Sequence, residues 1–238
     1  QSPERIERAA MPTASMFKPE TLARMENLRD ECLAEAEATA TGSEGPVFLS
    51  IRESNGARYV SIVNDNRRAG EYTRLVGRDE FRPYGKAQTA EVCLRMPVRR
   101  PVYDFLSGKQ VEGRMEKGWF VCTVELPPAR GVVLCEYPSD PKELRCRTDG
   151  PLARGRRQKL ELRLMDADKR PVSGRQIVDV KIVDPEGGVH DESGFYLLVN
   201  GEGSVPIGIA LNDLPGEWTI VAKERSTGVG GAIKKEVE

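Results

Sequence analysis

Leu160-Glu161-Leu162-Arg163-Leu164-Met165 places a leucine at every second position, so an extended strand carries three leucines on one face and Glu161, Arg163 and Met165 on the other. A helix would scatter the same leucines around its circumference. The alternation recurs in Arg58 to Val63, where Tyr59 and Ser61 oppose Val60 and Ile62, and in Phe120, Cys122, Val124 and Leu126. From Pro46 onward, short runs of Val, Ile, Leu, Phe and Tyr are separated by Gly, Pro, Asn and Asp, which predicts an all-β texture.

Strands are predicted over 47–52, 58–64, 88–96, 98–104, 109–115, 119–126 and 131–137, a first antiparallel sandwich spanning 46–138. Asn55-Gly56, Ser107-Gly108 and Lys117-Gly118 suit tight reversals that need positive φ. A linker over 139–157 is rich in Pro, Gly and charge. Beyond it, strands over 158–165, 176–183, 195–199, 203–209, 217–223 and 229–237 predict a second sandwich, immunoglobulin-like, over 158–238. Residues 1–45 differ. Leu22, Met25, Leu28, Cys32 and Ala36 recur at helical spacing, predicting an amphipathic connector helix over 20–40, with 39–46 as a short linker. The expected fold is therefore mainly β: an N-terminal helix followed by two antiparallel β-sandwich domains.

Length and charge narrow the functions open to this chain. Its 238 residues leave room for two cores, and 36 Lys and Arg nearly cancel 37 Asp and Glu, which removes the basic footprint of a dedicated nucleic-acid binder. No apolar run approaches the ~18 residues that a membrane helix needs. Gln1 to Ala10 are polar and mixed in charge, without the regions of a secretion signal. Cys32, Cys93, Cys122, Cys135 and Cys146 form no CxxC pair and read as buried thiols, with one bridge, such as Cys122 to Cys135, left open.

Tyr59-Val60-Ser61-Ile62-Val63-Asn64-Asp65-Asn66, then Tyr103-Asp104-Phe105-Leu106-Ser107-Gly108 within 101–111, and then Val124-Glu125-Leu126-Pro127-Pro128-Ala129-Arg130-Gly131, resemble the β-sandwich that follows the catalytic barrel of multidomain glycoside hydrolases of β-galactosidase and amylase type. The second half, with Val183-Asp184-Pro185-Glu186-Gly187, Ala210-Leu211-Asn212-Asp213 and Pro215-Gly216-Glu217-Trp218, resembles immunoglobulin-like or macroglobulin-like modules of large bacterial surface proteins. The resemblance implies an accessory module of a larger, carbohydrate-related, extracytoplasmic protein, reached from its barrel through the helix. The shared motifs are turns and core positions.

Candidate chemistry is sparse. A glycosidase needs two carboxylates about 5 to 9.5 Å apart across the sugar. Asp65 and Asp104 are the residues to test, yet both sit at strand ends beside turn formers, where Asp normally caps backbone N–H groups. His190 is the only histidine and no nucleophile elbow occurs. Asp166 and Asp168 share a loop without the spacing of a calcium-binding loop. No catalytic residue, metal site or cofactor is assigned.

The insertion 67–86 holds six cations against three anions, interleaved with aromatic rings. A loop of this length is either functional or without fixed structure. Tyr72, Arg74, Arg78, Phe81, Arg82 and Tyr84 are its candidate binding residues, because Arg and Tyr are enriched where proteins meet. The same loop could instead cover a sandwich edge. Trp119 opens a strand and joins the candidates, whereas Trp218 reads as core. The expected function is non-catalytic: contact with a neighbouring domain or protein. A carbohydrate-binding module that takes a polysaccharide, and a hydrolase in its own right, are the alternatives.

Overall fold

The structure is a computed structural model that describes residues 36–66 and 85–238. Its strands in chain order are β1 (Ala38–Gly42), β2 (Val47–Ser54), β3 (Ala57–Asn64), β4 (Gln88–Arg95), β5 (Val102–Asp104), β6 (Lys109–Gln110), β7 (Arg114–Glu116) and β8 (Trp119–Leu126). They continue with β9 (Gly131–Glu136), β10 (Glu143–Thr148), β11 (Arg156–Met165), β12 (Arg175–Val183), β13 (Gly194–Val199), β14 (Glu202–Ile209), β15 (Gly216–Glu224) and β16 (Gly230–Val237). Three sheets result, ordered β1-β4-β8-β7, β2-β3-β9-β5-β6 and β10-β11-β14-β13-β12-β15-β16. Among the described residues no helix is long and apolar enough to cross a membrane.

The expected fold class needs correcting in two places. The described residues are all β and contain no helix. Most of the expected helix lies outside them, but Ala38 to Ala40, its last residues, belong to β1, which pairs antiparallel with β4 from Ala38↔Leu94 to Gly42↔Ala90. Helix propensity is a weak prior. Here the open backbone edge of β4, with Thr39 and Thr41 as β-branched partners, outweighs it. The second correction concerns the immunoglobulin-like pair of sheets. The seven strands form one continuous antiparallel sheet, because Asn200 and Gly201 (φ 53° and 75°) turn β13 tightly into β14 and keep Val199 paired with Glu202. Within the stretch read as a linker, Glu143–Thr148 forms β10, paired to β11.

The chain forms two compact units. One comprises residues 36–50, 61–66, 85–99 and 113–132, and the other Ile51–Val60, Arg100–Glu112 and Val133–Glu238. In the first, cross-strand pairs Ala90↔Val124, Val92↔Cys122 and Leu94↔Phe120 turn their side chains inward and are buried. A polar node closes one end. The Asn64 amide donates to the carbonyls of Lys86, Leu126 and Pro127, and its Oδ1 accepts from Gln88 Nε2 at 2.8 Å. Gln88 Oε1 in turn takes the N–H groups of Glu44 and Gly45, fixing the turn after β1.

In the second unit, Leu160, Leu162 and Leu164 are fully buried, as their spacing predicts, and share a core with Val178, Val180, Ile182, Val205, Ile207, Trp218 and Ile220. Met165 is buried too, since β11 ends there against Pro171. The sheet curls until its outermost strands approach: a Cβ on Gly231 of β16 would lie 2.0 Å from the Leu144 carbonyl of β10, so only glycine fits. Glu136 is buried between Arg58 and Arg100, a charge cluster that holds the β2–β3 turn.

Candidate binding cleft

The second unit contains a cleft of about 650 Å³. Its floor comes from one face of β9 and the residue that follows it, where Val133, Cys135 and Tyr137 alternate with Leu134 and Glu136. Tyr59 of β3 and Phe105, just after β5, extend that aromatic surface. Ile177 of β12 and Leu197 of β13 form the facing wall. Arg52, Glu53, Ser54 and Arg175 stand at the rim. The Asn55-Gly56 turn, with φ of 52° and 78°, brings the end of β2 and the start of β3 together.

The aromatic hydroxyls are already engaged. Tyr59 Oη donates to the Arg175 carbonyl at 2.7 Å and accepts from the Arg175 N–H at 2.6 Å. Tyr103 donates to Asp140. Ser226 Oγ donates to Glu224 Oε1 at 2.7 Å, so the Tyr137 hydroxyl, 2.7 Å from Ser226 Oγ, is the donor to it. Glu224 is fully buried and accepts in addition from the Ser226 and Thr227 N–H groups and from the Thr227 hydroxyl. The Tyr59 and Tyr137 rings meet edge to face at 6.4 Å.

Burial sets the acid–base state of this surface. It pushes the Cys135 thiol up to about 12, with the nearby Glu224 charge adding and the Tyr137 and Ser226 hydroxyls partly offsetting. Tyr137 and Tyr103 are raised above the ordinary phenol range by burial first. Cys135 therefore stays a protonated thiol, a poor nucleophile. Glu53 is the one carboxylate among the residues that line the cleft.

Tyr72, Arg74, Arg78, Phe81, Arg82 and Tyr84 lie outside the described residues. Trp119 opens β8, half-buried opposite Arg95 and Glu116, and does not line the cleft. Asp104, expected to cap a turn, does so, its Oδ1 accepting from the Leu106 N–H; Asp184 Oδ1 likewise accepts from the Glu186 and Gly188 N–H groups, and Asp166 Oδ1, in the loop it shares with Asp168, from those of Asp168 and Arg170. His190 packs edge-on to Trp218 at 5.5 Å and accepts from the Glu192 N–H. Cys122 and Cys135 are free and lie in different sheets, so the bridge between neighbouring strands does not form. The cleft residues escaped sequence reading because the alternation in β3 sets Tyr59 on the face opposite the buried Val60 and Ile62, and β9 is apolar on both faces. Tyr59 opposite Val60, and Val133 and Cys135 flanking Leu134, were the available signal.

No protein-family model matches the chain, and no curated protein matches it. Among solved structures, a glycosyl hydrolase family 2 member from Bacteroides cellulosilyticus DSM 14838 aligns with TM-score 0.27 and 10% identity, over 63% of this chain and 28% of that one. A second such structure from Bacteroides cellulosilyticus gives 0.26 and 9%, over 63% and 26%. E. coli alpha-2-macroglobulin in its native conformation gives 0.28 and 9%, over 84% and 22%. The chain spans about a quarter of the length of these solved chains, and the likeness is distant.

Proposed function

We propose that this β-rich chain is a non-catalytic accessory module of a larger carbohydrate-active, extracytoplasmic protein, and that the cleft of its second unit holds an apolar group of a neighbouring domain or protein. The observation that carries the contact role is a pocket with apolar and aromatic walls whose tyrosine hydroxyls are bonded within the fold. A sugar subsite needs free hydroxyl partners and flat, exposed rings. Tyr137 is 1% exposed and its hydroxyl is engaged. A hydrolase needs a second carboxylate facing Glu53, and Glu224 has four donors of its own. The carbohydrate-related setting rests on the resemblance of the strand-end and hairpin motifs in 59–66 and 101–111. The loop carrying Tyr72, Arg74, Arg78, Phe81, Arg82 and Tyr84, and Trp119 at the start of β8, stay proposed as further contacts.

The test is NMR of the full chain labelled at its Ile, Leu and Val methyls, titrated with display-selected peptides and with a polysaccharide panel. Peptides with a bulky apolar residue are expected to shift Val133, Ile177 and Leu197. Shifts caused by polysaccharide alone, or turnover of chromogenic glycosides, would replace this reading with one of its alternatives.

A further inference from the structure

The wall of the cleft continues onto an exposed face of the seven-stranded sheet. Phe195, Leu197 and Val199 of β13 are 68%, 51% and 44% exposed, and Ile177 of β12 lies directly opposite Leu197 in the register. Three bulky side chains in a row on one strand exceed the scattered apolar residues of an ordinary surface. β13 is also weakly covered along its second edge, since its ladder with β14 consists of Val199↔Glu202.

Charge beside the strip is mainly positive. By register, Arg175, Asp179 and Lys181 of β12 share its face with Lys223 of β15, and Arg225 follows β15 with its N–H bonded to the Ile177 carbonyl. Four cations thus accompany two anions, Asp179 and Glu202, the latter directly opposite Val199 and paired with Arg163, and Arg52 adds a cation at the cleft rim, beside Glu53. Arg157 pairs with Glu192, and farther along the same face Lys234 of β16 pairs with Glu217. Arg175 lines the cleft together with Ile177 and Leu197 of the apolar strip.

Taking the cleft as a protein-contact site, we infer that its occupant is an extended acidic segment of another protein, laid along β13, with one bulky apolar side chain in the cleft and flanking carboxylates on Arg175, Lys223 and Arg225. Strand addition supplies backbone partners for the part of β13 that β14 leaves out of its ladder, and alternation along the segment presents apolar residues to Phe195 and Leu197. Cations around an apolar strip would select acidic over basic partners and make association fall with salt.

The test titrates the full chain with a short synthetic peptide that alternates glutamate with leucine and phenylalanine, and with its lysine counterpart. Vesicles of phosphatidylcholine and phosphatidylglycerol form a third arm. The acidic peptide is expected to shift amides of β12 and β13 and to weaken by about tenfold with Leu197→Asp and by a few-fold with Arg175→Glu, both surface changes whose folding is checked by the same spectra. Equal binding of the lysine peptide, or no effect of Arg175→Glu, overturns the acidic partner while leaving the cleft as a contact site. Shifts on β13 from the vesicles alone overturn it in favour of a lipid surface. Failure of every peptide to move the cleft residues removes both readings.

Discussion

Tyr59 and Arg175 hold one another through a reciprocal pair of hydrogen bonds: the phenol gives its proton to the Arg175 carbonyl and takes one from the Arg175 N–H. One side chain thereby ties the β2–β3 turn region to the first residue of β12, 116 residues away in sequence, and sets the position of the Arg175 rim. Gly174 beside it has φ +108°, and a Cβ there would lie 2.5 Å from that of Ala57, so the close approach depends on glycine.

Tyr59→Phe keeps the ring that lines the cleft and removes both bonds. A loss of about 1 kcal/mol is expected in denaturant unfolding, since water can reach the half-buried site and replace part of the interaction. Amide exchange at Arg175 should accelerate in the same variant. Unchanged exchange there would show that the pair does not restrain β12.

Glu224→Gln replaces a buried acceptor of four donors with a group that itself carries donors. Stability should drop by roughly 2 kcal/mol, and the Ser226 and Thr227 amides at the β15–β16 turn should lose protection first. A more stable variant would mean that desolvation of the carboxylate outweighs its bonds.

Gly201→Ala tests the link between β13 and β14. At φ +75° the new Cβ would lie 2.6 Å from the Leu164 carbonyl and 2.7 Å from the Val172 nitrogen, both backbone atoms that cannot swing aside. A cost of about 2 kcal/mol or more in unfolding free energy is expected, above the ordinary Gly-to-Ala range. A neutral result would show that the turn can relax to another type.

Cys135 makes stability depend on alkaline pH. Its folded thiol is pushed up to about 12 from an ordinary value of 9.0, so above pH 9 the unfolded chain sheds a proton that the folded chain keeps. The folded state then binds more protons, and stability falls as pH rises from about 9 to 12. Cys122 and Cys146, each pushed up to about 11 by burial, act in the same direction. Unfolding curves across that window should be flatter for Cys135→Ala than for the parent, and a thiol reagent at pH 8 should leave Cys135 unmodified until denaturant is added. Rapid labelling of the folded chain at Cys135 would contradict its burial.

Much of the second unit was readable residue by residue. The leucines at 160, 162 and 164 point inward because extended backbone alternates its faces whatever surrounds it. Asn55-Gly56 and Asn200-Gly201 adopt positive φ at both residues, because Gly and Asn tolerate a conformation that other side chains resist; in the first unit Lys117 takes the same conformation beside Gly118. Asp104 and Asp184 cap their own turns for a similarly local reason. β10 was masked by its charges: Glu143, Arg145 and Arg147 face outward while Leu144 is buried between them, which over a short run mimics a polar linker.

Local chemistry along the chain accounts for strand faces, turn types and caps, because each of these depends on neighbours within a few positions. Pairing partners lie outside that range. The strand at Ala38–Gly42 exists because β4, some fifty residues later, has an edge to share, and the single seven-stranded sheet exists because one hairpin stays closed. The cleft belongs to the same class: Tyr59, Cys135, Ile177 and Leu197 come from four strands, and only the backbone hydrogen bonds and close packing of the folded chain bring them around one space.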